Sequence, residues 1–265
     1  MSADQDVVSQ RVGHVGTVEI CRPPLNFLDI PLITQIADAL EAFDRDDQVR
    51  CVVLSAQGKA FCAGADFSGS ALKGAGGSAE TADPMETARG IYEQAVRIFK
   101  ARKPVVVAVQ GAAIGGGLGL ALAADFRVTC HEARFSANFT KLGFHPGFGL
   151  TVTLPELIGR NHAELLLYTS RRLSGEEALR LGLVNDLVPQ ERVRHAAMEL
   201  AGEIAGCSPL GLLSTRATMR QGLAERVLDA TRKELAEQAL LLVTDDFKEG
   251  VRATEERRTA NFRGC

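Results

Sequence analysis

The sequence lacks an excess of charge of either sign. It has 30 lysine and arginine residues against 33 aspartate and glutamate residues, a formal net charge of −3. Without a strong overall field, the chain is not expected to bind nucleic acid or an anionic membrane surface. Its 265 residues, 46% hydrophobic and 24% charged, are typical of a globular protein and unlike a disordered chain or a coiled coil. We therefore expect its partners to be small molecules or copies of itself.

Cysteine pairs and targeting signals are also missing. There is no CxxC motif, and the N-terminus carries neither a basic segment followed by an apolar one nor an Arg-rich amphipathic stretch. The run over 104–124 is nearly all apolar, but Gln110 and five glycines interrupt it, so it is interpreted as a strand, a loop and a buried helix rather than a membrane span. These features predict free thiols and a cytoplasmic protein. The cysteines are Cys21, Cys51, Cys62, Cys130, Cys207 and Cys265.

Common motifs for cofactor binding, metal binding and nucleophilic catalysis are also absent from the sequence. In the glycine cluster that begins at Gly115, Leu120 stands where the dinucleotide-binding pattern GxGxxG needs its third glycine. This disfavours a nucleotide-dependent dehydrogenase. No GxxxxGK[ST], GxSxG or HExxH motif is present, and His131 beside Glu132 has no second histidine four residues on. The sequence therefore predicts neither a cofactor nor a metal site.

Hydrophobic periodicity predicts an α/β body followed by a helical segment. Alternating apolar residues within 1–20 indicate a strand pair, and apolar residues three or four positions apart indicate a helix over 31–43 that Asp29 caps. The stretch over 68–81 is rich in Gly, Ser and Ala and predicts a functional surface loop. Further predicted elements are a helix over about 84–100 and strands at 51–56, 104–109 and 125–130.

After about residue 194 the sequence carries no strand signal, which predicts a core over 1–195 and a helical C-terminal segment over 196–265. This segment has more apolar residues than one appendage can hide on itself, so it either packs on another subunit or folds back on its own body. The residues in question are Leu212, Leu235, Leu240, Leu241, Leu242 and Val243.

Two segments share one plan, in which an apolar strand ends in a turn of small residues. They are VVLSAQGKAFCAGADF at 52–67 and VVVAVQGAAIGGGLGLALAAD at 105–125. Small residues let a ligand approach backbone N–H groups, and the unpaired N–H groups at a helix start favour negative charge. Two such turns side by side would form an oxyanion hole.

These motifs resemble the crotonase (enoyl-CoA hydratase/isomerase) superfamily. KAFCAGADF, KPVVVAVQGAAIGGGLGLALAADFRV, ARFSANFTKLGFHPGFG and RLSGEEALRLGLVNDLVP follow one another in the expected order and spacing, and the tail FKEGVRATEERRTANFRG extends the match. The resemblance implies a spiral of ββα units whose helical C-terminal segment packs homotrimers, often paired into hexamers. It also implies acyl-CoA thioesters as substrates and a lyase or isomerase activity.

The resemblance also assigns residues to the site. The amides of Ala65 and Gly116 would form the oxyanion hole that holds the thioester oxygen as it becomes enolate-like. Arg257 falls where a tail cation meets a CoA phosphate, and Asp125 is expected to form structural hydrogen bonds. The residues implied in the adenine and ribose pocket are Ala63, Asp66, Phe67 and Ser68.

The chain departs from the family pattern at the two glutamates that position and activate water in hydratases. Gly119 and Phe139 stand in their places, and neither residue can transfer a proton. Phe139, with Gly119 and Phe144, would instead line a dry acyl pocket, which favours reactions driven by enolate stabilisation alone. A diverged decarboxylase or C–C hydrolase, or a non-catalytic acyl-CoA-binding protein, therefore remains an alternative to a hydratase.

Few residues offer a substitute acid or base. His145 lies on the loop that borders the acyl group in relatives, where an imidazole would be suited to act as a base or an acid. Its other interpretation is a histidine packed between Phe144 and Pro146 or exposed at a turn. Tyr92 and Glu93 follow the predicted surface loop, on a helix whose faces more often supply packing or solvated side chains.

Overall fold

The protein folds into two sheets of mainly parallel strands with helices around them. The computed structural model describes residues 6–65 and 84–265, so the predicted surface loop over 68–81 lies outside the described residues. The strands are β1 Val7–Val12, β2 Val15–Ile20, β3 Cys51–Ala56, β4 Ala60–Cys62, β5 Val105–Val109, β6 Ala112–Ile114, β7 Phe126–Thr129, β8 Arg134–Ser136, β9 Leu173–Ser174 and β10 Asp186–Leu187. The helices are α1 Ile30–Arg45, α2 Pro84–Phe99, α3 Gly116–Ala123, α4 Leu150–Ile158, α5 Arg160–Thr169, α6 Gly175–Arg180, α7 Val193–Ala205, α8 Pro209–Met219, α9 Leu223–Leu242 and α10 Asp245–Glu255.

The larger sheet has the order β1-β2-β3-β5-β7-β10. The hairpin of β1 and β2 is antiparallel and the remaining pairs are parallel. β3 and β5 are buried along their whole length, as their unbroken apolar sequences predict for central parallel strands. The predicted strand pair and the strands at 51–56, 104–109 and 125–130 are therefore confirmed.

A second sheet, in the order β4-β6-β8-β9, is built from strands of two or three residues. Each of β3 and β5 is followed within a few residues by the short strand β4 or β6, which belongs to this second sheet. The chain thus repeats a ββα plan, and the larger and smaller sheets keep the same strand order along the repeat. This repeat places the ends of β4 and β6 side by side.

Helix α1 follows the pattern predicted from its sequence. The Asp29 carboxylate accepts a hydrogen bond from the Leu32 amide at 2.9 Å, and a proline occupies the first turn. The apolar face predicted from the spacing is buried against the larger sheet, at Leu32, Ile33, Ile36, Ala37, Leu40 and Phe43.

The predicted division at 195/196 falls within α7, which packs against β3, β5 and β7 of the larger sheet. The helices that follow return to the same body. α9 packs against α2 and α4, and Leu235, Leu241 and Leu242 lie partly buried against the core. Leu240 and Val243 stay exposed. The apolar tail is therefore only partly covered by its own body.

None of the helices in the described part of the chain is long and apolar enough to cross a membrane.

Asp125 joins the first half of the chain to the C-terminal helices. Its carboxylate accepts from the Val105 amide at 2.8 Å and from Nε of Arg216 at 3.0 Å, and it lies 3.2 Å from a terminal nitrogen of Arg220. The side chains of Asp125 and Arg216 are 13% and 8% exposed. This agrees with the structural role expected for Asp125, since one carboxylate balances two largely buried guanidinium groups.

Asp125→Ala is expected to destabilise the protein by about 3–5 kcal/mol, because it leaves buried guanidinium groups without a counter-charge. Urea unfolding monitored by circular dichroism measures the loss. Arg160→Ala, which breaks the solvated Arg160–Glu164 pair at 2.7 Å, serves as the control and should leave the midpoint unchanged. Equal effects of the two substitutions would contradict this account of Asp125.

Candidate functional site

The candidate site lies where the turn after β4 meets the start of α3. Gly64 has a φ of +81°, and a Cβ there would lie 2.7 Å from the Ile114 carbonyl oxygen and 3.3 Å from the Gly116 amide nitrogen. Only glycine allows both this backbone conformation and this contact. The Gly64 carbonyl accepts from the Leu28 amide at 2.9 Å, which ties the turn to the segment before α1. The two glycine-rich turns singled out in the sequence are therefore in contact.

Two amide groups at this contact have no acceptor in the part of the chain that the structure describes. The parallel bridge between Leu28 and Ala65 uses the Gly64 carbonyl and leaves the Ala65 N–H aside. Gly116 is the first residue of α3, where an amide has no partner within the helix. Within residues 6–65 and 84–265, neither amide donates a hydrogen bond. Two free donors and the positive end of a buried helix are suited to an oxygen that gains negative charge.

An aromatic wall stands on one side of these amides. Asn138 and Phe139 face Gly115, the residue before α3: a Cβ there would lie 3.0 Å from the Asn138 side-chain oxygen and 3.7 Å from the Phe139 ring. Phe139 is buried, and its carbonyl accepts from the Leu142 and Phe144 amides. Phe139 therefore lies next to the turn before α3, and its predicted place in the acyl pocket stays a prediction.

Phe148 forms a second wall, which sequence reasoning missed. A Cβ on Gly119 would lie 2.6 Å from Cβ, Cγ and Cδ1 of Phe148, and one on Gly116 would lie 3.7 Å from its Cδ2. Phe148 has a φ of +62°, which is rare for a residue with a bulky side chain, and it is 0% exposed. Gly119 thus has no side chain because a phenyl ring fills the adjacent space. No local sequence signal announces a positive φ at a phenylalanine.

Tyr92, predicted as an acid or base, lies behind the loop that carries Phe148. Its ring meets Phe148 edge to face, with centroids 6.3 Å apart, and its hydroxyl donates to Oε1 of Gln238 on α9 at 3.2 Å. Burial raises the pKa of the Tyr92 hydroxyl. The amide nitrogen of Gln238 donates to the His145 carbonyl at 2.9 Å. The Tyr92 hydroxyl is therefore engaged in a buried network that holds the loop.

Glu234, one turn earlier on α9, holds the other end of this loop. Its carboxylate accepts from the Gly149 amide at 2.8 Å and from the hydroxyl of Thr151 at 2.6 Å, at the N-terminus of α4. A carboxylate here satisfies amides that α4 itself leaves unpaired. Burial raises the pKa of Glu234, and the hydrogen bonds from Thr151 and Gly149 oppose that shift. Sequence reasoning missed this contact because the partners are 83 to 85 residues apart.

His145 and Phe144 take different positions on the loop. The Nδ1 atom of half-buried His145 lies 2.8 Å from the Pro146 carbonyl oxygen. When Nδ1 carries the proton for this bond, Nε2 is the basic nitrogen of the ring. The ring of Phe144 packs against Phe247 of α10, with centroids 5.1 Å apart. Its predicted place in the acyl pocket stays a prediction.

The residues predicted to bind CoA are only partly described. Ala63 is half-buried, and its amide donates to the Leu25 carbonyl at 3.0 Å. Arg257 lies just after α10, exposed and with a φ of +55°. Asp66, Phe67 and Ser68 lie outside the described residues. Their roles stay predictions.

Other reactive groups near the turn offer no alternative chemistry. Cys62 ends β4 beside α3, and burial raises the pKa of its thiol to about 12, so it is not a thiolate nucleophile at neutral pH. Among the described residues, no three His, Cys, Asp or Glu side chains are grouped as metal ligands. The amides of Ala65 and Gly116 therefore remain the candidate groups for binding an oxyanion.

The titration of Glu234 yields a prediction about pH. Because its folded-state pKa is raised from the ordinary value of 4.5, the folded protein holds this proton more tightly than the unfolded chain does. Its contribution to stability is present below pH 4.5 and is lost as the pH rises through the raised pKa. Glu234→Gln should remove this loss, measured as the free energy of unfolding in urea against pH.

Glu249 supplies a control of opposite sign, because the hydrogen bond from Arg258 lowers its pKa to about 2. The contribution of Glu249 to stability is present above its ordinary pKa of 4.5 and is lost as the pH falls. Glu249→Gln should therefore lower the free energy of unfolding at neutral pH and leave it unchanged in acid. A Glu234→Gln profile parallel to that of the wild type would contradict the assignment.

Known proteins are similar to this chain over nearly its full length. A family model for enoyl-CoA hydratase/isomerase matches residues 10–264. A crotonyl-CoA hydratase from Syntrophomonas wolfei is 32% identical over 265 aligned residues, covering 98% of each chain. The 1,2-epoxyphenylacetyl-CoA isomerase of Escherichia coli is 31% identical, covering 94% of this chain and 95% of the relative.

Comparison of the fold with solved structures leads to the same family as the sequence comparisons. The crystal structure of an enoyl-CoA hydratase/isomerase from Pseudoalteromonas atlantica matches with a TM-score of 0.84 and 30% identity, covering 98% of this chain and 100% of that one. The predicted fold class, a crotonase-like α/β spiral with a helical C-terminal segment, is thereby confirmed. Sequence and fold agree over nearly the full length, and the chain belongs to the enoyl-CoA hydratase/isomerase family.

Proposed function

We propose that this protein is an acyl-CoA-processing enzyme that stabilises a thioester enolate between the amides of Ala65 and Gly116. The observation that carries the proposal is the contact of the Gly64 turn with the start of α3, where neither amide has an acceptor among the described residues. The similar crotonyl-CoA hydratase and 1,2-epoxyphenylacetyl-CoA isomerase are both named for CoA esters, which supports this substrate class.

The proposed reaction does not use paired glutamates, since Gly119 and Phe139 occupy those positions in the family pattern. Phe139 beside Gly115 and Phe148 beside Gly116 place apolar surface at the start of α3, where hydrogen bonds to a developing oxyanion are stronger than in water. This environment favours a step driven by enolate stabilisation, such as decarboxylation or C–C bond hydrolysis, over hydration by two carboxylates.

His145 is the proposed proton-transfer group. The contact of Nδ1 with the Pro146 carbonyl fixes the ring and makes Nε2 the basic nitrogen. Tyr92 is less suited to this role, because burial raises its pKa and its hydroxyl is bonded to Gln238.

We further propose that the enzyme is a homotrimer or a dimer of trimers. Large apolar side chains remain exposed on α5, α8 and the end of α9, and contact with a second copy would bury them. They include Tyr168, Leu210, Met219, Leu240 and Val243.

A panel of CoA esters tests the function. Short, medium, aromatic and malonyl-type acyl-CoA esters are incubated with the enzyme and followed by mass spectrometry for gain of water, loss of CO₂ or loss of CoA. We expect turnover of at least one ester, and Ala65→Pro should slow it by about 10²–10³ because it removes one N–H donor.

Ala65→Ser is the matched control, since it changes the same residue but keeps the amide, and its rate should stay near that of the wild type. Binding of CoA esters without turnover of any of them would favour a non-catalytic acyl-CoA-binding protein. Equal rates for Ala65→Pro and the wild type would contradict the oxyanion role.

The missing carboxylates yield a separate prediction. Gly119→Glu with Phe139→Glu should not hydrate crotonyl-CoA, because a Cβ at position 119 would lie 2.6 Å from Phe148. Adding Phe148→Gly frees that space, and glycine adopts the positive φ without strain. We expect the triple variant to show hydration in a spectrophotometric assay and the double variant to show none. Hydration by the double variant would contradict the steric role of Phe148.

A further inference from the structure

Phe148 lies along the first turn of α3, beside the candidate oxyanion hole. Gly116 and Gly119 share one face of the helix, since they are three residues apart. The ring of Phe148 faces both, with Cδ2 towards Gly116 and Cγ and Cδ1 towards Gly119. An acyl group whose carbonyl oxygen is bound at the Gly116 amide therefore has this ring beside it.

The position of the ring is fixed from three sides. Gly147, the preceding residue, has no space for a side chain, because a Cβ there would lie 1.8 Å from the Tyr92 hydroxyl oxygen. The amide of Gly149, the following residue, donates to Glu234 at 2.8 Å. The Tyr92 ring contacts Phe148 edge to face. Phe148 is thus not free to swing away when a ligand enters.

The backbone at Phe148 is in a costly conformation. Its φ of +62° is in the left-handed region, which disfavours residues with a Cβ. Such conformations persist only where surrounding contacts impose them, and they concentrate at ligand sites. Here the contacts come from α2 and α9, the helices that carry Tyr92, Glu234 and Gln238.

We propose that Phe148 is a specificity-determining residue that closes the acyl pocket along α3 and restricts it to short acyl groups. The inference rests on the proposed function, since it assumes that a CoA ester binds with its carbonyl oxygen at the Ala65 and Gly116 amides. The ring takes the volume that a side chain at position 119 would otherwise occupy, so chain length is limited by Phe148 itself. Removing the ring opens an apolar cavity into which a longer acyl chain extends.

The test is a chain-length profile of binding. Dissociation constants of acetyl-, butyryl-, hexanoyl- and octanoyl-CoA are measured by titration calorimetry for the wild type and for Phe148→Ala. The wild type should favour the short esters. In Phe148→Ala the ratio of octanoyl-CoA to acetyl-CoA affinity should rise by about tenfold or more, since each methylene in an apolar pocket contributes roughly that factor.

Phe43→Ala is a closely matched control. Phe43 is also a buried phenylalanine packed on a glycine, with its Cδ2 atom 2.8 Å from the position of a Cβ on Gly16. It lies on α1, however, and Gly16 lies on β2 of the larger sheet. Its truncation removes the same ring from the core and should leave the chain-length profile unchanged. A profile that shifts equally in both variants would assign the effect to general loosening and overturn the proposal.

Failure of the proposed function and failure of the role of Phe148 give different results in this experiment. If the wild type binds none of the four esters, the proposed function is wrong. If it binds them and Phe148→Ala keeps the wild-type profile, the function stands and the role of Phe148 is overturned. Phe148→Gly, which suits the positive φ, replaces Phe148→Ala if thermal unfolding shows that the alanine variant does not fold, and the same shift is expected of it.

Discussion

The structure depends on one close backbone contact, between the turn at Gly64 and the start of α3 at Gly116. Both strands involved belong to the smaller sheet: the turn follows β4, and α3 follows β6, the neighbouring strand. A Cβ at Gly64 would collide with the Ile114 carbonyl, so any other residue would force the two strands apart. The amides of Ala65 and Gly116 lie at this contact, and neither has an acceptor among the described residues.

Helix α9 acts on this site from behind. Its inward face carries Val227, Thr231, Glu234 and Gln238, at the spacing of one helical stripe. Glu234 and Gln238 bond the loop beneath them, whereas the hydroxyl of Thr231 donates to the Leu228 carbonyl of α9 itself. Gln238 meets the carbonyl of His145 and Glu234 meets the amide of Gly149, one at each end of the loop that carries Phe148. Helix α9 therefore holds both ends of the loop that carries Phe148.

The sequence predicted the helices and strands that are long enough to show a hydrophobic pattern. α1 has sixteen residues with a regular apolar face, and β3 and β5 are unbroken apolar runs. The strands of the smaller sheet have two or three residues, too few for any periodicity, and only the family resemblance implied their existence.

The candidate site divides in the same way. Glycine-rich turns announced the contact of Gly64 with Gly116, because glycine is required there. The contacts of Phe148, Glu234 and Gln238 are set by tertiary packing: a phenylalanine gives no sign of a positive φ, and polar residues on a helix are ordinarily expected to face water. The sequence shows a glycine at position 119, where the family has a carboxylate. A side chain does not fit there because of the ring of Phe148, which lies 29 residues away in the sequence.

The most direct test of the account is the infrared spectrum of a thioester carbonyl in the site. A saturated acyl-CoA labelled with ¹³C at the carbonyl is bound to the wild type and to Ala65→Pro, and isotope-edited difference spectra isolate its stretching band. Two hydrogen bonds from the Ala65 and Gly116 amides should move the band to lower frequency than in water, and the proline variant should reverse part of that shift. A bound ester with the same carbonyl frequency in both proteins would contradict the assignment of these amides as the oxyanion hole.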